Sequence, residues 1–153
     1  MRKKEREIKE RKEIDSVIHR SRVCRLAMSE RDCPYVVPLC FGYKDNALYF
    51  HTAMKGMKMD ILKKNSRVCF EFDLDHEMVT STNPCDWGIK YRSVIGFGNA
   101  VLLERSEPKK KALQIILEHY GAKGPFSYTE KGFRKTMIVK VDIESMTGKK
   151  AGY

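Results

Sequence analysis

The pattern of apolar and polar positions changes period several times along the chain. Between residues 8 and 20, Ile14, Val17 and Ile18 share one face at helical spacing with Ile8 ahead of them, which predicts a short amphipathic entry helix. From Val23 the residues suit a strand: 23–28 are mostly apolar, and 29–34 have the composition of a turn. A second run, 35–43, meets a third, 47–52, across Lys44, Asp45 and Asn46. Polar residues that tolerate positive φ at that junction predict a β-hairpin.

Helical spacing returns where Met57 and Ile61 stand four apart, as do Asp60 and Lys64; a short helix from Gly56 to Asn65 follows. Residues 67–73 alternate, with Val68, Phe70 and Phe72 on one face and Arg67, Glu71 and Asp73 on the other, as in a half-buried strand. Residues 74–88 have no clean period and read as a loop over a site. The run 91–104 is the longest β-compatible stretch, and Gly96 and Gly98 inside it suggest a bend or a close backbone approach. From Ser106, the residues Ala112, Leu113, Ile116, Leu117 and Tyr120 form an apolar stripe, with Gly121 suited to the C-terminal cap. Met137, Val139, Val141 and Ile143 then alternate in a last strand before a polar tail. About six strands and three helices, joined by short turns, favour a mainly β, α+β fold: an antiparallel barrel with attached helices rather than a doubly wound parallel sheet.

Composition adds bounds to this picture. A chain of 153 residues, 42% hydrophobic and 33% charged, is that of one globular domain, read as a basic segment and short helix over 1–20 and a barrel over 21–153. No apolar run has the length of a bilayer crossing, and the charged N-terminus does not resemble a secretory signal, so the expected location is the cytoplasm, away from membranes. Five cysteines without a C-x-x-C pair, and four histidines without a metal-binding spacing, signal neither a disulfide framework nor a metal site. Cys24, Cys40 and Cys69 lie in strand-like runs and read as packing residues. Of the net charge of +10, residues 1–12 carry +4, and acids and bases are intermixed beyond them. A solvated basic tail, not a nucleic-acid partner, is the preferred reading; the rival predicts salt-sensitive binding that needs residues 1–12.

Three segments carry candidate chemistry. In 48–58 a strand runs into a helix start, with His51, Thr52, Lys55 and Lys58 around Gly56. Free N–H groups at a helix start attract an anion, and cations and a hydroxyl beside them make a phosphate site; a charged surface helix after a strand-end histidine is an equal alternative. In 35–42, Pro38 cannot donate to a ladder, so it marks either an edge strand or an interruption open to a planar heterocycle. In 87–94, Trp87 and Tyr91 offer flat surfaces, and Lys90 and Arg92 could balance charge on a reduced flavin; core and solvated roles are the alternatives. The pair Gly96 and Gly98 lacks the third glycine and the strand-to-helix context of a dinucleotide fingerprint.

The order and spacing of residues 35–39, 48–58, 65–71 and 91–98 resemble the pyridoxamine 5'-phosphate oxidase-like split-barrel family, in particular its nitroimidazole-resistance branch. The resemblance spans residues 23–148. It implies a six-stranded antiparallel split β-barrel with flanking helices, a homodimer, and FMN in a cleft at the subunit interface; some relatives carry haem or a deazaflavin instead. By position, Val37, Pro38 and Leu39 would lie along the flavin ring, and His51, Thr52 and Lys58 would face its phosphate. Tyr91, Arg92 and Ser93 would approach from the long strand, across the dimer. The activity implied is a flavin-dependent reductase of a small acceptor such as a nitroaromatic, with NAD(P)H as a possible donor. The rival is a flavin or haem carrier without turnover, since no acid, base or nucleophile set stands out. The namesake's closing arginine-leucine segment, which holds pyridoxine phosphate, has no counterpart in residues 146–153, so vitamin B6 oxidation is not implied.

Overall fold

The computed structural model describes residues 3–153; Met1 and Arg2, the first residues of the predicted basic tail, lie outside the described residues. The elements in order are β1 (Glu7–Ile8), α1 (Arg11–Arg20), β2 (Cys24–Glu30), β3 (Cys33–Leu39), β4 (Gly42–Lys44), β5 (Ala47–Ala53) and α2 (Met57–Lys64). They continue with β6 (Arg67–Val79), β7 (Gly88–Leu103), α3 (Ser106–His119), α4 (Glu130–Lys135) and β8 (Thr136–Ala151). The strands form one antiparallel sheet in the order β3-β2-β6-β7-β8-β5-β4, with β1 attached to β8. Its inner face wraps one core, and the end strands β3 and β4 do not pair, which is the split in the barrel.

The period-two residues do what alternation requires. Leu26, Leu48, Phe50, Val68, Phe70, Phe72, Val94, Val139 and Val141 point inward and are buried, with α1 contributing Val17 and Ile18. Phe41, Phe70 and Phe72 form the aromatic centre, with ring centroids 4.8 Å apart for Phe41 and Phe72 and 5.9 Å for Phe70 and Phe72. At the Lys44–Ala47 hairpin, Asp45 and Asn46 take φ of 51° and 57°, the left-handed pair that a two-residue turn needs. A Cβ on Gly96 would overlap the Phe70 ring, and one on Gly98 would overlap the Asp142 carbonyl, so both glycines serve close approach.

Among the described residues, the structure departs from the sequence reading in six places. There are eight strands instead of six. The 35–43 run breaks at Cys40 and Phe41, where Phe41 turns into the core and α3 packs against Gly42, whose Cβ would come within 2.8 Å of the Ile115 and Ile116 backbone. Residues 74–79 are not a loop but continue β6 through a bulge at which Asp75 takes φ 58°. The predicted polar tail continues β8 to Ala151, because its backbone pairs with β7 on one edge and β1 on the other. The segment around Ile8 is a strand, not helix or free tail, since Ile8 is buried against Gly148. A fourth helix, α4, follows α3.

Candidate functional site

The 48–58 segment folds as read. β5 ends at Ala53, Gly56 takes φ 122°, and α2 begins at Met57 without any side-chain cap. Its first N–H groups are therefore free for an anion. Thr52 and Lys58 are half-buried there, while His51 and Lys55 are exposed. Among the described residues, none of these three basic side chains makes an ion pair. Partial burial pushes the Lys58 ammonium below the ordinary lysine value, a cost that a nearby anion would relieve. Free backbone N–H groups with Lys55 and Lys58 next to them in sequence suit a phosphomonoester, while His51 and Thr52, adjacent on β5, face opposite sides of the sheet.

The other two segments are placed differently. Among the described residues β3 pairs only with β2, so Pro38 lies on an edge strand, as the edge reading required. Val37 and Leu39 lean on the core, whereas Pro38 faces outward with Val36. On β7, Tyr91 and Ser93 share the outer face with Ile95 and Phe97, and Arg92 points the other way. Arg92 is committed to Asp75 at 2.7 Å, lies 4.0 Å over the Tyr153 ring, and has Glu13 within 4.0 Å. Its role within the chain is to tie β7 to the β6 bulge and α1. Alternation alone carried that signal, since a period of two separates Arg92 from both neighbours.

Strand register fixes how far apart these groups lie. His51 sits opposite Ile138 on β8, and Ile138 sits opposite Leu103 on β7. Ser93 is ten residues back along β7, up to about 33 Å away at roughly 3.3 Å per residue. Within one chain, 51 thus lies level with the end of β7 and 91–93 near its start.

A surface that the sequence reading did not assemble lies on the outer side of the sheet. Register aligns Val36, Ala27, Cys69 and Phe97 in one row across β3, β2, β6 and β7. Val36 is 55% exposed and Phe97 44%, with Ile95 beside them. The β6–β7 hairpin extends this apolar surface through Met78, Trp87 and Ile89, all exposed. Trp87 is thus not core; its indole N–H donates to the Ser81 carbonyl at 2.6 Å, and Lys90 pairs with Glu77 at 2.8 Å. Beside the row, Arg25 holds Glu71 and Asp73, and His76 lies 2.8 Å from Asp73. Burial, helped by Asp73, pushes the Glu71 carboxyl up. Of the cysteines read as packing residues, Cys24 is buried and Cys69 half-buried; Cys40 is exposed at the β3–β4 break.

The model of the pyridoxamine 5'-phosphate oxidase family matches residues 10–150. The chain belongs to this family. Within the pyridoxamine 5'-phosphate oxidase fold it is similar to a Bacteroides thetaiotaomicron VPI-5482 protein assigned provisionally to 5-nitroimidazole antibiotic resistance. The two are 34% identical over 94% of this chain and 85% of that one, with a TM-score of 0.83. The FAD and heme binding protein of Mycobacterium smegmatis shares the fold at a TM-score of 0.87 and 16% identity, over 97% of this chain and 74% of that one. An FAD-binding protein of Mesorhizobium loti aligns at a TM-score of 0.69 and 25% identity, over 96% of this chain and 98% of that one. None of the curated proteins compared with the chain matches it. The split barrel is thus the family's own architecture, and among the described residues no helix is long and apolar enough to cross a membrane.

Proposed function

We propose that the protein is a homodimeric, FMN-binding oxidoreductase that reduces a small acceptor such as a nitroimidazole or another nitroaromatic, with NAD(P)H as electron donor. The observation that carries this reading is the uncapped start of α2, flanked in sequence by His51, Thr52, Lys55 and Lys58; among the described residues no carboxylate pairs with any of the three basic side chains. Thr52 donates its hydroxyl to the phosphate, Lys58 supplies the partly desolvated charge, and His51 and Lys55 close the exposed side. The free edge of β3 at Val37, Pro38 and Leu39 offers backbone groups to the flavin ring.

Two features support a homodimer. The outer apolar row, with the β6–β7 hairpin, is a surface that a second copy would bury. The separation of 51–58 from 91–93 is bridged when Tyr91 and Ser93 come from the partner subunit. Arg92 then acts indirectly, holding the start of β7 through Asp75. Bound FMN supplies the electron transfer; the chain binds it, orients it and shields it from water. The similarity to the nitroimidazole-resistance protein supports the acceptor class, and the FAD-binding relatives support a flavin.

A perturbed flavin absorbance spectrum on titration with FMN, lost in a Thr52→Val, Lys58→Met double variant, is the expected result. The absence of saturable binding would refute the reading. A second reading, a flavin or haem carrier without turnover, draws on the fold shared with an FAD and heme binding protein. Steady-state NAD(P)H oxidation coupled to a nitroaromatic separates the two, because robust turnover excludes a carrier.

A further inference from the structure

Lys109 is the most deeply buried charged side chain described, at 7% exposure, and no carboxylate lies within ion-pair distance of it among the described residues. Its ammonium donates to the Phe133 carbonyl and lies 4.3 Å from the Phe133 ring centroid. An ammonium carries three donors, and among the described residues an acceptor meets only one of them. Leaving a buried cation without a counter-ion is costly, and burial accordingly pushes the Lys109 pKa down. Sequence position offers no packing reason for a lysine here, since Lys109 stands three residues before Ala112 and seven before Ile116, on the helix face that both use for packing.

Lys109 and Phe133 line a cavity of about 440 Å³ between the starts of α3 and β8 and the end of β5. The size suits a single-ring small molecule. Met54, Leu103 and Met137 supply hydrocarbon and thioether walls, and Phe133 supplies an aromatic one. Two further charges reach the cavity, Glu104 and Arg134, but Arg134 is already paired with Glu130 at 2.5 Å. Glu104 is unpaired among the described residues but exposed, as is Arg134, so the one buried charge that lines the cavity is that of Lys109.

We propose that this cavity binds a flat, singly charged aromatic carboxylate, with Lys109 as its counter-ion and Phe133 and the two methionines against its ring. One buried cation balances one negative charge; a phosphate dianion would bring a second that nothing buried here neutralises. Met54 belongs to the same β5–α2 connection as Lys55, so the cavity adjoins the proposed cofactor segment, but carboxylate binding there needs no flavin.

The test is calorimetric titration of the full chain, with no flavin added, using benzoate, benzamide and inorganic phosphate in turn. Benzoate is expected to bind saturably, and benzamide and phosphate at least about tenfold more weakly, the effect of ~1.4 kcal/mol. Lys109→Met keeps the alkyl stem and is expected to lose about tenfold in benzoate affinity, while its FMN titration matches that of the unaltered chain. Equal binding of benzamide, preference for phosphate, or no saturable benzoate binding would overturn the proposal. The ligand comparison on the unaltered chain stands even if the variant fails to fold. Failure here with FMN binding intact leaves the flavin reading standing, and the converse holds equally.

Discussion

The outer face of the barrel is treated in two opposite ways. Over β5, β8 and the end of β7 it is covered by α3: Ile138 is fully buried against Ala112 and Ile116, with Tyr49 and Leu103 packed alongside. Over β3, β2, β6 and the middle of β7 no helix covers it, and Val36, Ile95 and Phe97 stand exposed. The residue types are alike, so what differs is whether the same chain returns to bury them. Where it does, the apolar residues hold the monomer together. Where it does not, they are free to hold a second copy, and the candidate cofactor groups of β3 and β7 border that open half.

The strongest break of this contrast is Ile138→Ala in the covered half. Removing a fully buried branched side chain under α3 is expected to cost about 2–5 kcal/mol, read as a lower urea midpoint at unchanged slope. Next is Phe97→Asp in the open half. It is expected to weaken self-association by about 2 kcal/mol or more in sedimentation equilibrium, with FMN binding falling in parallel. A drop in monomer stability without any change in association would show that the open half packs internally after all.

Acidification discriminates the two halves more gently. His119 sits at the end of α3, with its ring 4.1 Å from Phe41 and its Nε2–H donating to the Ser21 carbonyl at 2.9 Å. Burial holds its pKa below the ordinary histidine value and nearby His19 adds to this, outweighing the upward pull of the carbonyl. The unfolded chain then takes up the proton first as pH falls through about 6.5. Stability from this site is thus complete above that pH and declines below it, and His119→Gln is expected to flatten the decline in urea melts from pH 7.5 to 5.5. The smallest effect expected is that of Val36→Ala, within about 0.5 kcal/mol on the unfolding of the monomer.

How much of this was legible in the sequence depends on what holds each element. Where side chains decide, as in β6 up to Asp73 and α3, the periodic pattern names the element and its buried face; for β5 and α2 it names the element, but α2 buries Met59, Ile61 and Leu62 and leaves Met57 exposed. The 44–46 turn was equally legible, because Asp45 and Asn46 are residue types that accept left-handed backbone. Glu144–Ala151 was not, because a polar strand paired on both edges is held by backbone hydrogen bonds that leave no apolar signature. The β6 extension was hidden by the bulge at Asp75, whose turn conformation interrupts the alternation. At the candidate site, the residue types around Gly56 announced an anion preference. The outer row of Val36, Ala27, Cys69 and Phe97 was invisible, since it exists only once four strands are in register.

β8 pairs with β7 along one edge and with β5 and then β1 along the other, so it alone joins the β4–β5 hairpin to the β3-β2-β6-β7 meander. During translation, residues 136–151 leave the ribosome after every other strand of the sheet. Until then the strands on either side of β8 lack the partner that zips their margins together, a form that chaperones would be expected to guard.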